Sequence, residues 1–189
     1  MPQDFATIFE SRRSIRRIGP APLREIVNTL AFATRPHFVL DHDPHCRSRR
    51  PSLSSGALHP IDPLLIEKRR SFRVMRYDAW THRLEVLVIA RSESLVRFVE
   101  RCTELLPDAM GTSIVFAGYP GRVAAVYENH TSLLWRDAGA LLQTVALAAA
   151  AYGLGFCPLG VLGGEVLEAI GLDPRDCQAL GSAVIGRPR

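Results

Sequence analysis

Apolar residues recur along this chain with two periods, and the changes from one period to the other divide it into elements. Phe5 to Ser11 reads as a short helix. Past Gly19-Pro-Ala-Pro22, the residues Leu23, Ile26, Val27, Leu30 and Ala31 mark one face of a helix running to about Ala33. Residues 34–62 carry no periodic run and are rich in Pro, His, Arg and Ser, so they read as a long loop. A loop of that length inside a compact domain is uncommon and usually functional or mobile. Strands follow at 63–66 and 72–77, and Arg83 to Ala90 alternates as a third, with Asp78-Ala-Trp-Thr-His82 as the turn before it. Ser92 stands where it would cap a helix carrying Leu95, Val96, Val99, Cys102 and Leu106. Thr112 to Ala117 reads as a strand, and Thr131 to Tyr152 as a long central helix ended by Gly153. Val166 to Ile170 forms a last short helix, and Leu180 to Ile185 a final strand that carries Arg187 out at its end. Helices and strands mixed in this order predict an α+β sandwich with a central antiparallel or mixed sheet flanked by helices.

Length and charge narrow the picture. A chain of 189 residues suits one domain spanning 1–189, because it buries about 70% of its unfolded surface. The formal charge of +4 raises nucleic acid as a partner, yet the basic residues are scattered and no aromatic-interleaved basic face emerges, so none is expected. Cys46, Cys102, Cys157 and Cys177 have no CxxC spacing and no paired histidines, which predicts neither a metal site nor a disulfide framework. Reduced thiols in a cytoplasmic protein are the expectation. Asp4 and Glu10 flank no apolar run, so no signal peptide is expected either. From Ala138 to Gly164 no residue is charged, a stretch long enough to span a bilayer. Gln143 and the breaks at Gly153, Gly155 and Pro158 argue instead for a core helix buried on nearly all sides, and a subunit interface would explain its lack of a polar face.

Three segments carry candidate chemistry. Ser11-Arg-Arg-Ser-Ile-Arg16 is dense in guanidinium donors, and Arg12, Arg13 and Ser14 would satisfy the oxygens of a phosphate; a solvated basic turn is the plainer reading. Pro51-Ser-Leu-Ser-Ser-Gly-Ala-Leu-His-Pro60 offers hydroxyls at Ser52, Ser54 and Ser55, close backbone approach at Gly56, and proline-fixed ends at Pro51 and Pro60. Within it His59 is either an acid–base candidate or part of the loop frame. Tyr152-Gly-Leu-Gly-Phe-Cys-Pro-Leu-Gly160 closes the apolar helix with a glycine-rich exit, which also fits a helix stop followed by a buried strand. Cys157 inside it is either a reactive thiol or a buried structural one.

In the order Arg-Arg-Ser-x-Arg, Ser-x-Ser-Ser-Gly-Ala-Leu-His-Pro, Trp135-Arg-Asp-Ala-Gly139, Gly-Leu-Gly-Phe-Cys-Pro-Leu-Gly and Gly186-Arg187-Pro188, these motifs span nearly the whole chain. That order resembles the flavin mononucleotide (FMN) site of the nitroreductase family. The nearest likeness is to its SagB-type branch, the dehydrogenases of thiazole and oxazole formation in modified peptides. The resemblance implies a dimeric nitroreductase-like sandwich and an FMN-dependent oxidoreductase passing hydride through flavin N5. It further implies a bacterial, cytoplasmic enzyme of peptide or natural-product maturation, acting on a peptide or small molecule, with a biosynthetic partner protein as a further expectation. Arg12, Arg13 and Ser14 would hold the phosphate, Arg16 would lie near the pyrimidine end, and Arg187 would close the phosphate site or else belong to an exposed tail. Pro158, Leu159 and Gly160 would lie over the reactive edge, with Leu159 and Gly160 donating N–H groups to N5. Pro51, Ser52, Ser54, Ser55 and Gly56 would arrive from the partner subunit. No membrane partner and no metal is implied.

One stretch departs from that pattern. Azoline-oxidising members carry a Lys-Tyr pair shortly before the central helix, and here Gly121-Arg-Val-Ala-Ala-Val-Tyr127 keeps Tyr127 but has Val126 in the lysine's place. Valine takes no proton, and Lys68 is the only lysine. Tyr127 then stands as a catalytic hydrogen-bond donor to substrate or as a packed core residue. General NAD(P)H-dependent nitro or quinone reduction and a non-catalytic flavin-binding partner are the alternative functions.

Overall fold

The alternation seen along the chain sorts the strands onto two faces of one sheet. The computed structural model describes residues 4–68 and 70–189. In chain order the elements are α1 (Phe5–Ser11), β1 (Ile18–Gly19), α2 (Leu23–Thr34), β2 (Phe38–Val39), β3 (Ser48–Arg49) and a 3-10 turn at Ser55–Ala57. There follow β4 (Ile61–Lys68), β5 (Phe72–Asp78), β6 (Arg83–Leu87), α3 (Ser92–Leu105), β7 (Thr112–Gly118) and α4 (Pro120–Ala124). The chain closes with α5 (His130–Ala151), β8 (Gly155–Leu159), α6 (Gly164–Ala169) and β9 (Gln178–Pro188).

Seven strands form the main sheet in the order β1-β9-β7-β4-β5-β6, with β8 also paired to β9. Every pairing is antiparallel. The register sets Leu64 opposite Val115 and Leu65 opposite Ile114. Period two then sends Leu65, Met75, Ile114 and Phe116 to one face, where they meet Ile26 and Leu30 of α2 and Leu134, Leu141 and Val145 of α5. Leu64, Ile66, Val74 and Val115 point the other way, onto Leu95 and Phe98 of α3 and Val166 and Leu167 of α6. The result is an α+β sandwich with helices on both faces of an antiparallel sheet.

Several local expectations are corrected. The stretch 34–62 is not one loop: β2 and β3 pair as a hairpin, too short for any period to show in sequence, and the 3-10 turn follows. Ser92 is the first residue of α3 and not its cap; Arg91 holds that position without a side-chain bond. β6 stops at Leu87, because the N–H groups of Ala90 and Arg91 go to the Ala169 carbonyl instead of a strand neighbour. Helix α5 buries eight of its 22 residues and is therefore not enclosed on nearly all sides. Trp135, Gly139 and Gln143 lie exposed on its outer face. Gly153 does end it, in a left-handed conformation (φ 68°) that suits glycine. Among the described residues no helix is long and apolar enough to cross a membrane.

Candidate functional site

The arginine segment is strapped to the sheet edge that holds the glycine-rich exit. Ile15 N–H donates to the Phe156 carbonyl at 3.1 Å, and Met110 N–H to the Ile18 carbonyl at 2.7 Å. Arg189 N–H reaches the Arg17 carbonyl at 3.0 Å, and Gly19 pairs with Arg187 across β1 and β9. The approach is tight at Gly155, where a Cβ would lie 3.1 Å from the Ile15 side chain. Arg12 is half-buried, while Arg13, Ser14 and Arg16 are exposed. Among the described residues no carboxylate stands within 4.0 Å of Arg12, Arg13 or Arg16, so their N–H donors are uncommitted.

Residues 157–160 run beside them. Cys157 is buried, and burial raises its thiol pKa while the Arg16 charge opposes the rise. That is the environment of a structural thiol and not of a thiolate nucleophile. Leu159 pairs with Ser182 on β9, and Gly160 lies just beyond the strand with open space where a Cβ would be. Pro158 is exposed. Arg187 emerges at the same edge but donates to Glu25 Oε1 on α2 at 2.6 Å.

The serine turn is built differently from the sequence expectation of free hydroxyls. Asp137, buried on α5, accepts Ser54 Oγ–H at 2.6 Å, Ser55 Oγ–H at 2.9 Å and the Ser55 backbone N–H at 2.9 Å. A hydroxyl carries one proton, so both serines have given theirs to Asp137 and present only lone pairs elsewhere. Ser54 Oγ also accepts the His59 N–H at 2.9 Å. Ser52 is buried and its N–H bonds the Ala33 carbonyl at 3.2 Å, while Pro51 is exposed. Asp137 sat inside the Trp135-Arg-Asp-Ala-Gly139 phrase without a role; a lone acid in an apolar helix was the available signal.

The turn is conformationally tight. Gly56, Ala57 and His59 have φ of 58°, 57° and 46°, a region that costs residues other than glycine about 1–3 kcal/mol each. Tyr127 closes over it: a Cβ on Gly56 would come within 2.6 Å of the tyrosine hydroxyl. Val126 and Tyr127, following α4, are both half-buried. His59 Nε2 lies 2.8 Å from the Ser48 carbonyl, and since a carbonyl only accepts, that nitrogen carries the proton. Burial first, and the Arg50 charge second, pull the imidazole pKa down to about 4. His59 is thus a neutral brace of the loop.

Two groupings result. Arg12, Arg13, Ser14, Arg16, Pro158, Leu159, Gly160 and Arg187 share the β1/β8/β9 edge. Ser54, Ser55, Gly56 and Tyr127 gather over Asp137, near the start of α5. Among the described residues no hydrogen bond or ion pair joins the two: the first is tied to β8 and β9, the second to Asp137 of α5.

No family model matches the chain, and no curated protein matches it in sequence. Solved structures match it in fold. A protein designated a nitroreductase from Ralstonia eutropha superposes with a TM-score of 0.73 at 20% identity, over 100% of this chain and 85% of that one. A chain of the E. coli microcin synthetase complex McbBCD, solved with truncated pro-MccB17, gives 0.72 at 20% identity, over 100% and 74%. A protein designated a nitroreductase from Desulfovibrio desulfuricans, solved with FMN, gives 0.60 at 18% identity, over 100% and 88%. The chain has a nitroreductase-like fold, an antiparallel central sheet between helical layers.

Proposed function

We propose that this protein is an FMN-dependent oxidoreductase of peptide or natural-product maturation, working as a homodimer in the cytoplasm with a biosynthetic partner protein. The observation that carries the reading is the uncommitted donor set of Arg12, Arg13 and Arg16, on a segment hydrogen-bonded to the strand that leads to the open backbone at Gly160. Forked guanidinium groups without protein partners suit the oxygens of one phosphate. The chain has no Gly-x-Gly-x-x-Gly strand-turn-helix for a second nucleotide half, which favours FMN over FAD.

When bound, FMN supplies hydride transfer at its N5 atom. Arg12, Arg13 and Ser14 would hold the phosphate, and Arg187 would join them by giving up its bond to Glu25. Arg16 would place positive charge near the pyrimidine end of the ring system. The Gly160 N–H, just past Pro158 and the Leu159–Ser182 pair, would face the reactive edge. The turn carrying Pro51, Ser52, Ser54, Ser55 and Gly56 would enter the partner subunit's site. Ser54 and Ser55 then accept hydrogen bonds from the cofactor's polyol. Tyr127 travels with that turn and donates to substrate. Exposed Trp135, Phe32 and Tyr152 on and beside α5 support a covered apolar face. A structural neighbour in the microcin synthetase complex supports the peptide-maturation setting.

Val126 in the lysine's place favours a second reading, a flavin-binding partner without turnover of its own. Purification tests both. The protein is expected to be yellow, dimeric by light scattering, and to release a flavin that comigrates with FMN. Colourless protein that fails to bind added FMN overturns the proposal. Bound FMN without oxidation of NAD(P)H against nitroaromatics, and without turnover of azoline peptides, selects the second reading.

A further inference from the structure

Beside the serine turn and α4 lies a cavity of about 640 Å³ to which nothing above assigns a role. Its size falls in the range of small-molecule sites, roughly 300–1,000 Å³. Leu58 and His59 of the turn, Arg122 of α4, the hairpin tip at 39–46, Arg50 and Trp80 line it. The Arg50 guanidinium stacks 5.1 Å over the Trp80 ring, and its Nε donates to Ser48 Oγ at 3.0 Å. Arg122 stacks 4.8 Å over Tyr119. Among the described residues neither arginine has a carboxylate within 4.0 Å. The acid whose field both feel, Asp62, is half-buried and sits 3.6 Å from Arg76.

Two guanidinium groups held in place by aromatic rings, without an ion pair, are preorganised for an anion. Arg50 is partly buried, and a buried cation without an ion pair is costly; a ligand carboxylate that supplies bidentate bonds offsets that cost, with exposed Arg122 adding charge at the mouth. The acids at the rim differ in commitment. Asp43 Oδ2 already accepts the Arg47 backbone N–H at 2.7 Å, whereas Asp41 has no hydrogen-bond or ion-pair partner among the described residues. Leu40, Leu58 and the Trp80 ring add apolar wall. Cation, apolar wall and a free acceptor in one cavity match a peptide-like molecule ending in a carboxylate.

We propose that this cavity binds the carboxylate end of a peptide-like substrate, with the acid held by Arg50 and Arg122, the stem against Trp80 and Leu58, and an amide N–H toward Asp41. Calling the ligand a substrate rests on the functional reading above, because Leu58, His59 and Arg122 are chain neighbours of the turn assigned to the cofactor's polyol and of Tyr127, assigned to substrate. Binding itself does not depend on that reading.

Hippurate, a benzoylated glycine, is the probe, and its methyl ester the neutral control. Titration into the purified protein with its native flavin content is expected to change Trp80 fluorescence at millimolar concentration, read in a Trp135→Phe background to isolate the signal. The ester is expected to bind at least tenfold more weakly. Arg122→Gln, at an exposed position, and Arg50→Gln should each weaken hippurate tenfold or more, with thermal melts checking that each variant is folded. No response to hippurate, equal binding of the ester, or unchanged affinity in a folded Arg122→Gln protein would overturn the proposal. Flavin absorbance in the same samples separates the two readings. Flavin retained without hippurate binding fails this inference alone, and hippurate binding without flavin fails the FMN assignment alone.

Discussion

Asp137 should be the most consequential polar residue outside the arginine segment, because three donors from one turn end on its buried carboxylate. Hydrogen bonds to a charged acceptor are worth about 1.5–3 kcal/mol each, but the two serine hydroxyls can rotate to other acceptors when it is removed. The Ser55 N–H cannot rotate, and at 2.9 Å it loses its partner outright. The same bonds hold Ala57 and His59 at φ of 57° and 46°, so release of the turn recovers part of the loss as relieved strain. Asp137→Ala is therefore expected to destabilise by about 3–5 kcal/mol. Asp137→Asn keeps an oxygen for the Ser55 N–H while losing the charge, and should cost about half as much. Urea unfolding at neutral pH gives both values, and limited proteolysis should open first within residues 51–60. An alanine variant within about 1 kcal/mol of the parent, or an asparagine variant as unstable as the alanine one, would refute the account.

Arg12→Ala should weaken FMN binding by roughly tenfold or more, the loss of a charge-assisted phosphate bond of about 1.5–3 kcal/mol, whereas exposed Arg17→Ala should change it little; flavin titrations decide. His59 binds its proton near pH 4 when folded and near 6.5 when unfolded, so stability is complete above about 6.5 and declines as pH falls toward 4. Allowing for the ring's partial exposure, the decline should be about 2 kcal/mol, and thermal melts of His59→Gln should lack that part of the pH dependence. Val126→Lys, half-buried beside Tyr127, should either install azoline dehydrogenation or, with stability measured alongside, cost several kcal/mol as an unpaired buried ammonium. Tyr127→Phe should lower whatever native turnover the assay finds; an unchanged rate would make that residue structural.

Periodicity made most of the regular structure legible. The faces of α2 and α3 and the alternation of β4, β5 and β7 are local properties, since residues three or two apart in sequence share a face whatever the rest of the chain does. The hairpin of β2 and β3, two residues to a strand, was below the reach of any period, and α4 is only one turn long. Strand order was equally out of reach, because β9 pairs with β7 on one side and with β8 and β1 on the other, contacts chosen by packing and not by sequence neighbours. Of the candidate site, the sequence by itself supplied the residue types, arginines in one segment and serines with glycine in another. Only the tertiary structure decided what those groups are free to do. Ser54 and Ser55 meet Asp137 across 83 and 82 residues, and those contacts turn an apparent pair of ligand donors into a braced turn. Among the described residues Arg12, Arg13 and Arg16 meet no acid and keep their donors. A hydrogen donor's availability depends on which acceptor the fold brings within about 3 Å, a distance that no local pattern in the chain encodes.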